Sequence, residues 1–178
     1  MAELYLRDVN DTSTERVDST HPLPVRDIGY SPSDRLFVAV ADVAGIGVAA
    51  IYAANDAVGT PFSVDVPKAG WITGFKLIDP DDDTLALTAH VYTEQFVGAA
   101  DNAVYTVAAA YARTWVTSVT FSTSVDEGGF KTAEDVGESF YRASGGKLWI
   151  QCSTTGTPTV AAGAIPILQI GISVAAGS

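Results

Sequence analysis

From Leu36 onward, apolar and polar positions alternate mostly with a period of two. Leu36–Ala41 is an apolar strand, and Phe62–Val66 sets Phe62, Val64 and Val66 against Ser63 and Asp65. A turn at Pro67–Gly70 leads into Trp71–Ile78, and the acidic turn Asp79–Asp83 follows. Leu85–Thr93 places Leu85, Leu87, Ala89 and Val91 on one face, with Ala86, Thr88, His90 and Tyr92 on the other. Such alternation marks antiparallel strands with one buried face. Asp101–Ala112, with its run of alanines, predicts one short helix capped by Asp101 or Asn102. Trp115–Ser122 resumes the strand pattern, and Ser124–Asp135 reads as a Gly-rich acidic loop. Val136–Arg142 and Lys147–Thr154 flank Ala-Ser-Gly-Gly, which predicts a hairpin with glycine supplying positive φ. After a turn at Gly156–Pro158, Ile165–Val174 is the final strand.

About eight short strands at regular spacing, with at most one short helix, predict an all-β fold, an antiparallel β-sandwich or jelly roll. Residues 1–35 read differently. They are rich in charge, and Pro22, Pro24 and Pro32 forbid a helix there. The expectation is an extended N-terminal arm over residues 1–35, with a short strand in Leu4–Val9, followed by a β-sandwich domain over 36–178. Extended arms bind by adding a strand to a partner's sheet.

Composition narrows the function. The 178 residues carry 10 Lys+Arg against 21 Asp+Glu, a net charge of −11. That balance argues against a nucleic-acid partner, which needs a basic surface to release counterions. The longest apolar run, Val43–Ala54, has 12 residues, short of the roughly 20 that a membrane span needs. The N-terminus has neither the basic nor the apolar region of a secretory signal, so a soluble protein of a reducing cytoplasm is expected. On that reading the sequon Asn10-Asp-Thr12 carries no glycan.

Candidate chemistry is sparse. Gly45-Ile-Gly47-Val-Ala-Ala50 matches G-x-G-x-x-A, but no long helix and no second parallel strand follow, so the glycines read as a bend. Asp79, Asp81 and Asp83 alternate as calcium ligands do, yet Thr84 and His90 stand where an EF-hand needs Gly and Glu. A solvated turn is the reading, with a weaker calcium site as the alternative. Gly145-Gly-Lys147 lacks the upstream glycine of a P-loop. His21 and His90 are the only imidazoles, and neither neighbours a nucleophile elbow. Cys152, the only cysteine, alternates with Leu148 and Ile150 and reads as a buried small hydrophobe. Trp71, Trp115 and Trp149 fall in strands and read as core or interface, with sugar stacking as the alternative. No cofactor, metal or catalytic site is expected.

Several phrases are similar to one family. Ser19-Thr-His-Pro-Leu-Pro-Val25 resembles the N-P-L-P-V phrase near the start of tailed-bacteriophage structural proteins, with His21 in place of Asn. Ile51–Gly59, Ala69–Asp79, Ala100–Val107, and Gly156–Val160 leading into Ile165–Ile172 are similar as well, in the same order. Together they span most of the chain from about residue 17. The family is the β-sandwich or jelly-roll structural proteins of phage virions, best represented by head decoration (cement) proteins. The resemblance implies a protein made in the bacterial host cytoplasm and placed on the capsid exterior. It would be a homotrimer that bridges subunits of the major capsid protein and contacts neither nucleic acid nor membrane. His21, Pro22, Leu23, Pro24 and Val25 would form the partner-binding part of the arm. About 35 extended residues reach on the order of 100 Å. A head-fibre or tail accessory module that binds carbohydrate or a receptor is the alternative.

Overall fold

The computed structural model describes residues 5–7, 14–16, 35–47, 50–80, 86–136, 138–161 and 164–174. The chain divides into two compact units, Met1–Pro32 and Ser33–Ser178. In the first, β1 (Tyr5–Arg7) and β2 (Thr14–Arg16) pair antiparallel, with Leu6 opposite Glu15. The expected strand in Leu4–Val9 is β1. Its partner β2 reads Thr-Glu-Arg and offers no apolar alternation by which to find it. His21–Val25, the expected partner-binding segment, lie outside the described residues.

The second unit holds β3 (Arg35–Asp42), β4 (Ala50–Ile51), β5 (Ala57–Asp65), β6 (Ala69–Asp79) and β7 (Leu87–Tyr92). It continues with β8 (Trp115–Phe121), β9 (Val125–Asp126), β10 (Lys131–Asp135) and β11 (Ser139–Arg142). β12 (Lys147–Thr154), β13 (Thr159–Val160) and β14 (Ile167–Val174) complete it. One sheet has the order β3-β14-β6-β10-β9, and β11 also pairs with β6. β10 takes the Phe75–Asp79 half of β6 and β11 takes the Ala69–Ile72 half, so the two act as one interrupted strand. The other sheet has the order β5-β12-β7-β8. β4 and β13 form a separate short pair.

Leaving aside the two-residue edge strand β9 and the separate β1–β2 and β4–β13 pairs, and counting β10 and β11 as one, the two sheets have eight strand positions. The first sheet reads first-eighth-third-sixth and the second reads second-seventh-fourth-fifth. Every ladder is antiparallel. Strands therefore alternate between sheets except at the fourth and fifth, which is the two-Greek-key topology of a jelly roll. The inner faces supply the core. Ile72, Leu77, Leu168, Ile170 and Ile172 come from the first sheet, and Leu87, Val91, Leu148 and Ile150 from the second. Each fully buried side chain of this size contributes about 1.5–3 kcal/mol. Leu87, Ala89 and Val91 are buried in alternation, as the period-two pattern requires.

Three local expectations are corrected. Ser124–Asp135 is not simply a loop, since it carries β9 and β10. Lys131–Asp135 reads Lys-Thr-Ala-Glu-Asp, so its strand character comes from backbone pairing with β6 rather than from its own pattern. The strands flanking Ala143–Gly146 do not pair with each other. β11 joins β6 and β12 joins β5 and β7, which makes the turn a corner between sheets. Gly146, at φ +65°, closes that corner with its N–H donated to the Ala143 carbonyl at 2.9 Å. A hairpin and a corner demand the same turn residues, so local chemistry could not separate them. The helix, finally, is a short 3₁₀ segment at Ala109–Arg113 that follows Ala108, with no side-chain cap.

Candidate functional site

Each sheet has an outer face, and the two differ. The outer face of β7 and β12 carries Thr88, His90, Tyr92, Gln151 and Ser153, a polar set that ordinarily faces water. Here residues 93–114 contribute a second layer. Gln151 donates to the carbonyls of Ala99 at 2.7 Å and Gly59 at 3.1 Å, and accepts from the Ala99 amide at 3.1 Å. Tyr105 stacks on His90 with ring centres 4.1 Å apart and an 11° tilt, and its hydroxyl meets that of Tyr92 at 3.1 Å. Phe96 packs on Tyr92 at 4.3 Å. Gln151 and Ser153 are consequently buried although they point away from the core.

His90 is bracketed by two serines, Nδ1 to Ser118 Oγ at 2.9 Å and Nε2 to Ser153 Oγ at 2.9 Å. The geometry superficially suggests a nucleophile and its base. Burial, however, lowers the imidazole to about 4 from an ordinary 6.5, too weak a base to draw a proton from serine. Its partners in this network are hydroxyls, so no carboxylate orients it as in a triad. The arrangement acts as a strut that holds the covering segment.

A consequence is measurable. The folded imidazole titrates near 4 and the unfolded one near 6.5, so the unfolded chain binds the proton first as pH falls. The stability that neutral His90 contributes is complete above about pH 6.5, declines as pH falls toward 4, and changes no further below it. Between pH 7 and pH 5 the expected loss is about 1 kcal/mol, the full shift being discounted for partial solvent contact. Urea titrations of the wild type and His90→Gln at both pH values check this. The variant should lose most of that pH dependence, and equal slopes would remove His90 as its source.

A second cluster ties chain segments together at Asp101. Its Oδ2 accepts from the Gly47 amide at 2.6 Å, and its Oδ1 accepts from the Gly59 amide at 2.7 Å and the Tyr52 hydroxyl at 2.8 Å. Asp101, expected as a helix cap, instead caps this knot. Gly45 and Gly47 of the G-x-G-x-x-A run belong to the same knot, with Gly45 at φ +76°. Burial and the Asp101 carboxylate both push the Tyr52 hydroxyl well above its usual range.

Cys152 is fully buried, and burial pushes its thiol up to about 12. It stays protonated and unreactive in the folded chain. Among the described residues no three His, Cys, Asp or Glu side chains gather as metal ligands. Asp81–Asp83 of the acidic turn lie outside the described residues, while Asp79 ends β6 in a buried position. No described helix is long and apolar enough to cross a membrane.

The tryptophans are not core. Trp71 is 50% exposed and Trp115 is 52% exposed, while Trp149 is half-buried opposite Tyr92. Trp115 and Tyr92 border a shallow concavity of about 270 Å³ whose other walls are Val107, Ala108, Ala109 and Ala112. Trp115 Nε1 is already engaged with Ser118 Oγ at 3.1 Å.

Among the described residues no segment covers the outer face of the first sheet. Trp71 and Phe140 stand opposite each other on β6 and β11 with ring centres 5.4 Å apart, and Phe140 is also 50% exposed. Val38 and Val40 are exposed on β3. Between these, Gly74 of β6 lies opposite Gly171 of β14. The two glycines, with the Thr73 side chain against Gly171, floor a valley of about 290 Å³. Sequence reasoning found the strands but not this face, because alternation identifies two faces without saying which is left uncovered.

Compared with known proteins, the chain matches no family model, no curated protein and no solved structure.

Proposed function

We propose that this chain is a structural protein of a phage virion, a capsid decoration (cement) protein of the jelly-roll type. In this reading it assembles as a homotrimer on the capsid exterior. The arm segment His21–Val25 docks onto the major capsid protein and neighbouring copies, so that each assembly bridges several subunits. The observation that carries the proposal is the open face of Trp71, Phe140, Val38 and Val40 on a jelly roll, an architecture shared by viral capsid and lectin domains. Trp71 and Phe140, each half exposed and in ring contact, form an aromatic patch of the kind that marks an interaction surface. A non-enzymatic role accords with His90, which is too weak a base for the serines beside it. A net charge of −11 disfavours contact with DNA or an anionic membrane.

The mechanism would be linkage. A protein that binds only the assembled shell stabilises it by mass action, and several contacts per assembly multiply through effective concentration. Quantitative mass spectrometry of purified virions should give a copy number of the same order as the major capsid protein. Deleting residues 1–30 should weaken binding to undecorated capsids about tenfold or more, as expected when one of several linked contacts is lost. Absence from virions would overturn the proposal, and unchanged affinity would remove the arm's role. The alternative, a carbohydrate-binding fibre or tail module, would use the Trp115 concavity. It predicts a few to some dozens of copies and a glycan-array signal lost in Trp115→Ala.

A further inference from the structure

We infer that the open face of the first sheet binds a second copy of this chain, the Trp71–Phe140 pair of one copy entering the Gly74–Gly171 valley of the next. The inference does not depend on the virion reading and holds for any jelly roll bearing this face.

Two observations favour a second copy over an unrelated partner. The first is charge. Along the ladders of this face Lys76 and Arg142 balance Glu134 and Asp42, and Lys76 Nζ meets Glu134 Oε1 at 2.9 Å. With Asp135, which also lines the valley, these positions leave one net negative charge, whereas the whole chain carries −11. Two copies meeting at this face therefore repel less than the charge of the whole chain would make them. The second observation is shape. A protruding aromatic pair and a glycine-floored hollow occur side by side on the same few strands, so each copy presents both the knob and its receptacle. The valley, at about 290 Å³, lies at the bottom of the size range for small-molecule sites and is open, which suits inserted side chains better than a free ligand.

Four strands at about 4.8 Å spacing and about seven residues at 3.3 Å give a face of roughly 20 Å by 23 Å. Burying it on both copies removes roughly 900 Å² in total, the size of a weak, transient interface, so association should be concentration-dependent and micromolar rather than permanent. A reciprocal contact closes a two-fold pair, and a head-to-tail contact closes a ring. The mass of the assembly distinguishes them.

The test is sedimentation velocity of the full chain between about 1 and 200 μM, a range that brackets such affinities. Wild type should shift from monomer to oligomer across it. The double variant Trp71→Ser/Phe140→Ser removes the knob, and Gly74→Leu fills the valley. A Cβ at Gly74 meets only the Asp135 carbonyl oxygen, at 3.4 Å, and the rest of the leucine would extend into the valley. Each variant alone should remain monomeric, with wild-type circular dichroism confirming folding. Mixed together, they should form a heterodimer, because the valley-filled copy keeps its knob and the knobless copy keeps its valley. A wild-type monomer at 200 μM would overturn the inference, as would an oligomer unaffected by either variant or two inactive variants that fail to complement.

Discussion

Replacing Gly59 by Ala is expected to destabilise the sandwich by about 4 kcal/mol and lower its melting midpoint by roughly 10 °C. Gly59 sits in β5 at φ +70°, a left-handed conformation that costs an L-residue about 1–2 kcal/mol. The greater part of the loss is steric. A Cβ at this position collides with the carbonyl oxygen of Ala44. That oxygen cannot simply withdraw, because it accepts the Thr60 amide at 2.8 Å and anchors the turn before Gly45 to β5. Either the turn lifts and the hydrogen bond breaks, or β5 shifts and loses register with β12. Gly128 supplies the control, since it also has a positive φ, +82°, but its Cβ would point into open space. Gly128→Ala should therefore cost only the backbone strain, about 1 kcal/mol. Urea denaturation of both variants makes the comparison, and a Gly59→Ala loss no larger than that of Gly128→Ala would show that the collision is readily relieved.

The second large effect falls on the same knot. Asp101→Ala should cost about 3 kcal/mol, because it strands three donors that now meet one carboxylate, those of Gly47, Gly59 and Tyr52. Hydrogen bonds to a charged acceptor are worth about 1.5–3 kcal/mol each when buried, and partial access of water holds the sum below three full bonds. Asp101→Asn should fall between wild type and Ala. Its amide oxygen can replace Oδ1 toward Gly59 and Tyr52, but its NH₂ then faces the Gly47 amide, donor against donor. Since Gly59 donates directly to Asp101, the Gly59→Ala/Asp101→Ala double variant should be less destabilised than the two losses added together. Amide exchange at Gly47 and Gly59 should accelerate in Asp101→Ala while the β12 amides stay protected. Uniform acceleration would mean that the knot unfolds only with the whole domain.

Much of the fold was legible because β-strands write their pleat into the sequence. Leu87, Ala89 and Val91 alternate with polar residues, and Trp71–Ile78 and Ile165–Val174 proved to be long strands of the first sheet. Eight strand positions, the dominance of β structure and the buried character of Cys152 all follow from local pattern. The pleat is a property of neighbouring residues, so one chain displays it directly.

What the pleat leaves open is everything that depends on distant partners. Val136–Arg142 and Lys147–Thr154 resemble a hairpin, yet each found strands from 50 or more residues earlier, β11 with Ala69–Ile72 and β12 with Ala57–Asp65 and Leu87–Tyr92. Asp101 reads as a helix cap because an alanine-rich run follows it, and it became the acceptor for amides 42 and 54 positions away. Trp71 and Trp115 lie in well-read strands, but whether an outward residue meets water, a covering segment or another molecule is settled by what packs above the sheet. Residues 93–114 cover one face, and Trp71 and Phe140 remain exposed on the other. Local alternation specifies which side chains share a face. Only the tertiary packing decides what that face meets, since the contact energies that fix it come from residues far apart in the chain.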